Sequence, residues 1–279
     1  MYKIVKKIVL NDSITRMDIL APGIANKAKP GQFIILRVNE TGERIPLTIA
    51  DTDKSLGTVT IIFQIVGKTT SILNGLNEGE CILDFVGPLG TPSHLESNKK
   101  IAVLGGGLGT AIAYPQAKAL HQLNNEVHAI SGFRNKDLII LEDELKAVSD
   151  KTIIMTDDGS NGKKGFVTDA LKKLIDDGNK YDMVVAIGPL PMMRAVCNLT
   201  KEYGIKTIVS MNPIMIDGTG MCGVCRVTVG GETKFACVDG PDFDGHLVDF
   251  DEAIRRSRIY AEQEKQSRDK DCNLMKKEA

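Results

Sequence analysis

The chain has 279 residues and nearly equal numbers of basic and acidic side chains, 35 Lys+Arg against 36 Asp+Glu. The resulting net charge of -1 argues against a nucleic-acid partner, because nucleic-acid-binding domains are usually clearly basic. Hydrophobic residues make up 42% and charged residues 25% of the chain, which excludes disordered, collagen-like and coiled-coil classes. No apolar run approaches the ~20 residues of a membrane-spanning helix, and no membrane partner is expected.

Residues 1–97 are predicted to form an antiparallel β-barrel. Short apolar runs alternate with turns that contain glycine or proline, a pattern typical of small barrels. The predicted strands are YKIVKKIVL, QFIILRV, IPLTIA, TVTIIFQIV and ECILDFV. Within this region only GKTTSILNGL indicates a helix.

Residues 98–211 alternate between apolar strands and helical segments. The predicted strands are IAVLGGG, EVHAISGF, TIIMTDD, MVVAIG and IKTIVSM. The predicted helices are AIAYPQAKALHQL, DLIILEDELKAV, TDALKKLIDD and PMMRAVCNLTKEYG. Repeated β–α units predict a parallel, doubly wound sheet of the Rossmann type.

Residues 212–250 break this pattern with short strands and glycine turns around several cysteines. Gly230-Gly231, between RVTV and ETKFAC, indicates a hairpin. Residues 251–279 carry many charges of both signs and are predicted to form a C-terminal helix. That helix is either a solvated end of the chain or an element that docks onto a partner.

Three of the six cysteines fall close together, in the array Asp217-x4-Cys222-x2-Cys225-x11-Cys237. Plant-type [2Fe–2S] proteins use Cys-x4-Cys-x2-Cys and a distant fourth cysteine, so Asp217 stands where the first cysteine would be. The glycines at 218, 220 and 223 suit a tight loop around a cluster. The alternatives are a structural zinc ion with one further ligand, or buried free thiols.

Without a signal peptide, such a cysteine cluster indicates metal or redox chemistry in a reducing compartment, and we expect the cytoplasm. The turn Gly105-Gly106-Gly107-Leu108-Gly109 follows a strand and opens a helix. Such a turn lets the backbone approach a pyrophosphate, although a tight turn with a packing role is the alternative. Asp157 and Asp158, and Gly188 to Met192, follow two further strands at the edge where parallel sheets bind ligands.

These segments together resemble the ferredoxin–NADP reductase superfamily, in its branch with a C-terminal [2Fe–2S] segment. That branch includes the electron-transfer subunits of type B dihydroorotate dehydrogenase. The sharpest likeness runs over residues 212–249 and includes DGTGMCGVCRVTVGG. The dihydroorotate subunits are expected to carry cysteine where Asp217 stands. An aspartate with three cysteines is instead a mark of the small subunits of electron-bifurcating transhydrogenases, to which the chain is similar.

The resemblance implies FAD in the barrel, NAD(H) as the substrate of the Rossmann-like domain, and no acid–base catalytic residue. The residues that it assigns to FAD are Arg44, Pro46, Leu47, Thr48, Gly67, Thr69 and Thr70. Those that it assigns to NAD(H) are Gly105, Gly106, Gly107, Gly109, Asp157, Asp158, Gly188 and Met192. The implied ligands of a [2Fe–2S] cluster are Asp217, Cys222, Cys225 and Cys237.

The resemblance further implies that hydride passes between NAD(H) and FAD, and that single electrons pass to a larger partner subunit. In the family, that partner carries a second FAD and [4Fe–4S] clusters and handles NADP(H) and ferredoxin. Two alternatives stay open. One is the electron-transfer subunit of an NAD-dependent dihydroorotate dehydrogenase, and the other is a zinc-stabilised nucleotide-binding regulator without enzymatic activity.

Overall fold

The computed structural model describes residues 1–266, and the chain begins with an antiparallel sheet that curls into a nearly closed barrel. Its strands are β1 (Tyr2–Asn11), β2 (Ile14–Leu20), β3 (Phe33–Arg37), β4 (Ile45–Asp53), β5 (Thr58–Gln64), β6 (Cys81–Ile82) and β7 (Asp84–Leu89). They follow the order β6-β1-β2-β5-β4-β3-β7. Two short helices, α1 (Pro22–Ala25) and α2 (Lys68–Gly75), lie in the connections. The predicted barrel is confirmed, as is the helix predicted within GKTTSILNGL.

Strand β2 is absent from the sequence prediction because polar residues interrupt its apolar run. It lies between β1 and β5, so its polar side chains must find partners inside the sheet. Asp18 Oδ1 accepts hydrogen bonds from Thr60 Oγ1 on β5, at 2.7 Å, and from Arg16 Nε, at 3.2 Å. Met17 and Ile19 alternate with them and are fully buried in the barrel core.

The second half of the chain forms the predicted parallel sheet. Its strands are β8 (Lys100–Gly106), β9 (Glu126–Phe133), β10 (Lys151–Thr156), β11 (Met183–Ile187) and β12 (Lys206–Ser210), in the order β10-β9-β8-β11-β12. Its helices are α3 (Gly109–Gln122), α4 (Glu142–Ala147), α5 (Val167–Asp176) and α6 (Leu190–Glu202). Alternate residues of β8 enter two different hydrophobic clusters, one with α3 and α4 and the other with α5 and α6. The sheet is therefore covered on both faces, as a doubly wound fold requires.

The helix predicted over DLIILEDELKAV is shorter than expected. A 3-10 turn spans Lys136–Leu138, and α4 begins only at Glu142, after Leu141 in a left-handed conformation with φ 56°. Ile140 and Leu141 are buried against Ile14 and other residues of the barrel. This apolar stretch fills the contact between barrel and parallel sheet, and that packing displaces the start of the helix.

After β12 come the hairpin strands β13 (Arg226–Val229) and β14 (Glu232–Phe235), then β15 (Asp242–Asp244) and α7 (Phe250–Arg256). Strand β15, which the sequence did not predict, pairs antiparallel with β12 at the edge of the parallel sheet. The predicted C-terminal helix is interrupted, because α7 is followed by a turn over 257–260 and a further helical stretch over 261–266. The rest of that prediction, from 267 onward, lies outside the described residues. No helix in the described part of the chain is both long and apolar enough to cross a membrane.

Candidate functional site

A cleft of about 610 Å³ lies between the barrel and the carboxyl edge of the parallel sheet. Strands β3, β4 and β5 form one wall, and the turns after β8, β9, β10 and β11 form the other. The carboxyl ends of parallel strands are the usual ligand-binding edge of such a sheet. The cleft is therefore shared by the two parts of the chain for which cofactors are predicted.

The glycine turn between β8 and α3 brings this helix unusually close to the sheet. A Cβ built on Gly109 would lie 2.3 Å from the carbonyl oxygen of Ile187 at the end of β11. A Cβ on Gly106 would meet Met192 Sδ at 2.3 Å, and Gly107 has a left-handed φ of 55°. Backbone atoms therefore exclude a side chain at Gly109, the left-handed backbone disfavours one at Gly107, and the N-terminus of α3 is open to the cleft. This arrangement suits a pyrophosphate group.

Most of the residues predicted to bind NAD(H) line this cleft. They are Gly106, Gly107, Gly109, Asp157, Gly188 and Met192. Gly105 lies beneath the turn instead, where a Cβ would be 2.6 Å from Thr110 Cα. Asp158 does not line the cleft. The Ser160 side chain, together with the Ser160 amide that donates to Asp158 Oδ1 at 2.9 Å, lowers the pKa of this carboxyl.

The residues predicted to bind FAD fall into two groups. Pro46, Leu47 and Thr48, on β4, line the cleft. The second group, which comprises Arg44, Gly67, Thr69 and Thr70, does not line it.

Hydrogen bonds tie the start of α2 to the segment before β4. Thr70 Oγ1 accepts hydrogen bonds from the amides of Val66, at 3.0 Å, and Gly67, at 3.1 Å, so it caps α2. Thr69 Oγ1 donates to Glu43 Oε2 at 3.0 Å, which brings the first turn of α2 next to the residue that precedes Arg44. The second group of predicted FAD residues therefore lies close together, and none of its members lines the cleft.

The cysteine-rich loop holds two of its thiols together and leaves one at the surface. Cys225 Sγ and Cys237 Sγ lie 3.2 Å apart, and both residues are buried. Cys222 is exposed, and its amide donates to Asp217 Oδ2 at 3.1 Å. Asp217 Oδ1 accepts from the amide of Thr219 at 2.8 Å. The four predicted ligands thus form two neighbouring pairs, Asp217 with Cys222 and Cys225 with Cys237.

One residue of each pair has a shifted pKa. Burial, together with the hydrogen bond to Cys225, raises the pKa of the Cys237 thiol to about 12. The backbone hydrogen bond from Thr219 lowers the pKa of Asp217, which favours its carboxylate form. Within residues 1–266, no three His, Cys, Asp or Glu side chains come together as a site for a single metal ion.

The cysteine-rich loop packs directly on the barrel. A Cβ on Gly218, next to Asp217, would lie 2.7 Å from Leu89 Cδ1 and 2.8 Å from Ile35 Cδ1. Leu89 ends β7 and Ile35 lies in β3, whose first residue, Phe33, lines the cleft. One barrel strand therefore contacts both the cleft and the cysteine-rich loop.

Several residues of the cleft were not predicted from the sequence. They include Phe33, Ile62, Gln64, Arg134, Phe166 and Met215. Arg134 follows the end of β9, at the ligand-binding edge of the sheet, and that position was a usable signal. Phe33, Ile62 and Gln64 lie in ordinary barrel strands, and only the tertiary structure brings them to the cleft.

Comparison with known proteins agrees with this division of the chain. A family model described as the iron–sulfur cluster binding domain of dihydroorotate dehydrogenase B matches residues 212–249, and an oxidoreductase NAD-binding domain model matches residues 103–198. A Thermotoga maritima homologue of the dihydroorotate dehydrogenase B (NAD(+)) electron transfer subunit is 48% identical, over 94% of this chain and 93% of its own. An uncharacterized Clostridium beijerinckii protein from the adh 3' region is 55% identical, over 95% and 92%.

A solved chain from a structure of NADH-dependent reduced ferredoxin-NADP oxidoreductase, described in connection with flavin-based electron bifurcation, has the same fold. It superposes with a TM-score of 0.92 and 47% identity, over 97% of both chains. The cofactors that these likenesses support are FAD, an iron–sulfur cluster and NAD(H). The chain belongs to the family of dihydroorotate dehydrogenase B electron-transfer subunits and their homologues, which are oxidoreductases of the ferredoxin reductase type.

Proposed function

We propose that the chain is the FAD and [2Fe–2S] subunit of an NADH-dependent reduced ferredoxin:NADP oxidoreductase. It would exchange hydride with NAD(H) and pass single electrons to a larger partner subunit. The observation that carries the proposal is the pairing of the four candidate ligands, with Asp217 beside Cys222 and Cys225 beside Cys237. The likeness over 97% of both chains to a chain of that enzyme supports it.

The pairing favours a two-iron cluster over a single zinc ion. A [2Fe–2S] cluster takes four protein ligands, two on each iron. Two thiolates at about 2.3 Å from one tetrahedral ion are about 3.8 Å apart, close to the 3.2 Å between Cys225 and Cys237. A zinc ion would need at least three of these ligands around one point, and residues 1–266 provide no such group. Because metal binding displaces thiol protons, the raised pKa of Cys237 predicts proton release on cluster assembly.

The barrel wall of the cleft fits a flavin ring. Bound FAD takes up hydride as an electron pair and releases electrons one at a time. Leu47 and Phe33 would contact the ring, and the Thr48 hydroxyl would hydrogen-bond its edge and so tune its potential. The Arg44 guanidinium would balance the charge of the FAD diphosphate. Thr69 lies close to Arg44 in the fold, because it donates to Glu43, the residue before Arg44.

The opposite wall would orient the nicotinamide cofactor. The N-terminus of α3, exposed by Gly107 and Gly109, would receive the pyrophosphate, and Gly188 would leave room for the nicotinamide ribose. Direct hydride exchange requires no proton transfer by a side chain, so the role of this chain is to position the two cofactors and to exclude water.

Apolar side chains around the candidate ligands support an electron exit at this surface. Ile216 is 48% exposed, Met221 88% and Val238 42%, and each is next to a candidate ligand in the chain. A Cβ on Gly220, next to Met221, would lie 3.1 Å from Val238 Cγ2, so Met221 and Val238 lie on neighbouring segments, and contiguous exposed apolar surface commonly marks a protein–protein contact. The larger partner subunit, with its own FAD and [4Fe–4S] clusters, would dock here and would reach ferredoxin and NADP(H).

The proposal is tested first on the anaerobically purified chain. We expect the visible spectrum of oxidised flavin with a broad shoulder at longer wavelength, and about two irons per FAD. Cys237→Ser should lose the iron and retain the flavin, whereas Cys197→Ser, a buried thiol in α6, should retain both. A colourless wild-type protein that contains zinc would contradict the proposal.

The second candidate is the electron-transfer subunit of an NAD-dependent dihydroorotate dehydrogenase, which the matched iron–sulfur domain favours. Co-purification from the source cell distinguishes the two. A partner with FAD and many cysteines agrees with the bifurcating enzyme, and a partner with an FMN-binding barrel agrees with the dehydrogenase. In the first case, the isolated chain should be nearly inactive with ferredoxin.

A further inference from the structure

Asp242, a half-buried residue, places its carboxylate at the point where three parts of the chain meet. It begins β15, five positions after Cys237. Ser93 Oγ donates to Asp242 Oδ2 at 2.5 Å, and Gln116 Nε2 donates to the same oxygen at 3.1 Å. Asp242 Oδ1 is buried and has no hydrogen-bond partner in the described part of the chain. Burial raises the pKa of this carboxyl, which marks the cost of withdrawing it from water.

The two donors belong to different parts of the fold. Ser93 lies in the connection between β7 and β8, and its amide donates to the Pro30 carbonyl oxygen at 3.0 Å, just before β3 of the barrel. Gly31 packs so closely on it that a Cβ there would be 2.1 Å from Ser93 Oγ. Gln116 lies in α3 of the parallel-sheet domain and is only 2% exposed. One carboxylate oxygen thus links the barrel, α3 and the segment that follows the last cysteine.

Backbone hydrogen bonds attach the same segment to its surroundings. The Thr91 amide donates to the Gly240 carbonyl oxygen at 2.7 Å, and Thr91 Oγ1 donates to the Val238 carbonyl oxygen at 2.9 Å. On the other side, the Met211 amide donates to the Pro241 carbonyl oxygen at 2.8 Å. These contacts determine where Cys237 lies relative to the barrel and the cleft, and Asp242 is the side chain at their centre.

We propose that Asp242 is a positioning residue that holds the cysteine-bearing segment against the barrel and α3, and thereby keeps electron transfer from FAD to the cluster fast. The inference rests on the proposed function, in which Cys225 and Cys237 hold the cluster. In the step concerned, reduced FAD loses one electron and the oxidised cluster gains it, with NADH as the hydride source. Asp242 does not itself line the cleft, so we expect hydride exchange to depend on it less than electron transfer to the cluster does. When the Asp242 carboxylate is removed, the Ser93 hydroxyl and the Gln116 amide lose the acceptor that they share.

The test mixes the loaded protein anaerobically with NADH and follows flavin and cluster absorbance separately. In Asp242→Ala, we expect flavin reduction near the wild-type rate and cluster reduction slower by about ten- to a hundredfold, the effect of displacing the cysteine-bearing segment by up to about 1 Å. Amide hydrogen exchange over 236–244 should accelerate by about ten- to a hundredfold, while exchange over 126–133 stays unchanged. Asp242→Asn retains an acceptor oxygen and should lie closer to the wild type in both measurements.

The matched control is Asp244→Ala, which removes an exposed carboxylate from the same strand. It should leave the rates of flavin reduction and cluster reduction unchanged. The inference would be overturned if Asp242→Ala slowed flavin reduction and cluster reduction equally, or slowed neither. If that variant loses its cluster on purification, Ser93→Ala and Gln116→Leu each remove one donor and undergo the same test. Wild-type protein without flavin and cluster would overturn the proposed function itself. If the wild type carries both and Asp242→Ala slows flavin and cluster reduction equally or not at all, only the role of Asp242 is overturned.

Discussion

Gly109→Ala tests the close approach between α3 and β11 on which the proposed NAD(H) site depends. The added Cβ would lie 2.3 Å from the Ile187 carbonyl oxygen and 2.8 Å from Gly188 Cα. Both are backbone atoms that cannot change rotamer, so the start of α3 must move by about 1 Å to restore ordinary contact distances. Overpacking of this kind costs about 1–3 kcal/mol, and we expect the upper end because no side chain can yield.

The same displacement should weaken cofactor binding. An anion at a helix N-terminus gains up to ~2 kcal/mol, so moving α3 away from the pyrophosphate should raise the Kd for NADH by up to about thirtyfold. Urea unfolding measures the loss of stability, and titration with NADH measures the change in Kd.

The control for both measurements is Gly204→Ala, at a glycine after α6 with φ 63° and no atom within 4 Å of the added Cβ. It should cost about 1 kcal/mol from the left-handed backbone alone and leave NADH affinity unchanged. If Gly109→Ala were no less stable than this control and bound NADH like the wild type, the reasoning about the glycine turn would be refuted.

Three further substitutions address the cluster, the contact between barrel and parallel sheet, and the pH dependence. Asp217→Cys should retain a cluster but shift its potential by at least about 60 mV, a tenfold change for a one-electron couple, and an unchanged redox titration would contradict ligation by Asp217. Lys118→Met removes the ion pair in which Nζ lies 3.0 Å from both Asp51 oxygens. Since about a third of each side chain is exposed, we expect a loss of about 1 kcal/mol or less on urea unfolding, and a much larger loss would contradict this. Burial lowers the pKa of His128, so the unfolded chain takes up the proton first and stability should fall as the pH drops below about 6.5. Urea unfolding at several pH values should show that the free energy of unfolding depends less on pH in His128→Gln than in the wild type. The exposed control His121→Gln should show the wild-type pH dependence.

Much of the fold follows from local patterns in the sequence. Strands and helices with a regular apolar period were predicted close to their observed bounds, and Glu126–Phe133 matches its predicted strand. The errors lie where the environment of a segment overrides its local pattern. Strand β2 was not predicted because polar residues interrupt its apolar run, and these residues find their partners across the sheet. The apolar run at Ile140 packs against the barrel instead of forming a helix.

The sequence by itself determined which residue types are available for chemistry and how far apart they stand in the chain. The spacing of Asp217, Cys222, Cys225 and Cys237 and the run of glycines before α3 are local, because each depends on one loop. Only the tertiary structure decided that Phe33 faces the cleft and that Ser93 meets Asp242, 149 positions later in the chain. The physical reason is that periodicity and turn chemistry act over a few residues, whereas burial of a carboxylate between three parts of a fold depends on how those parts pack.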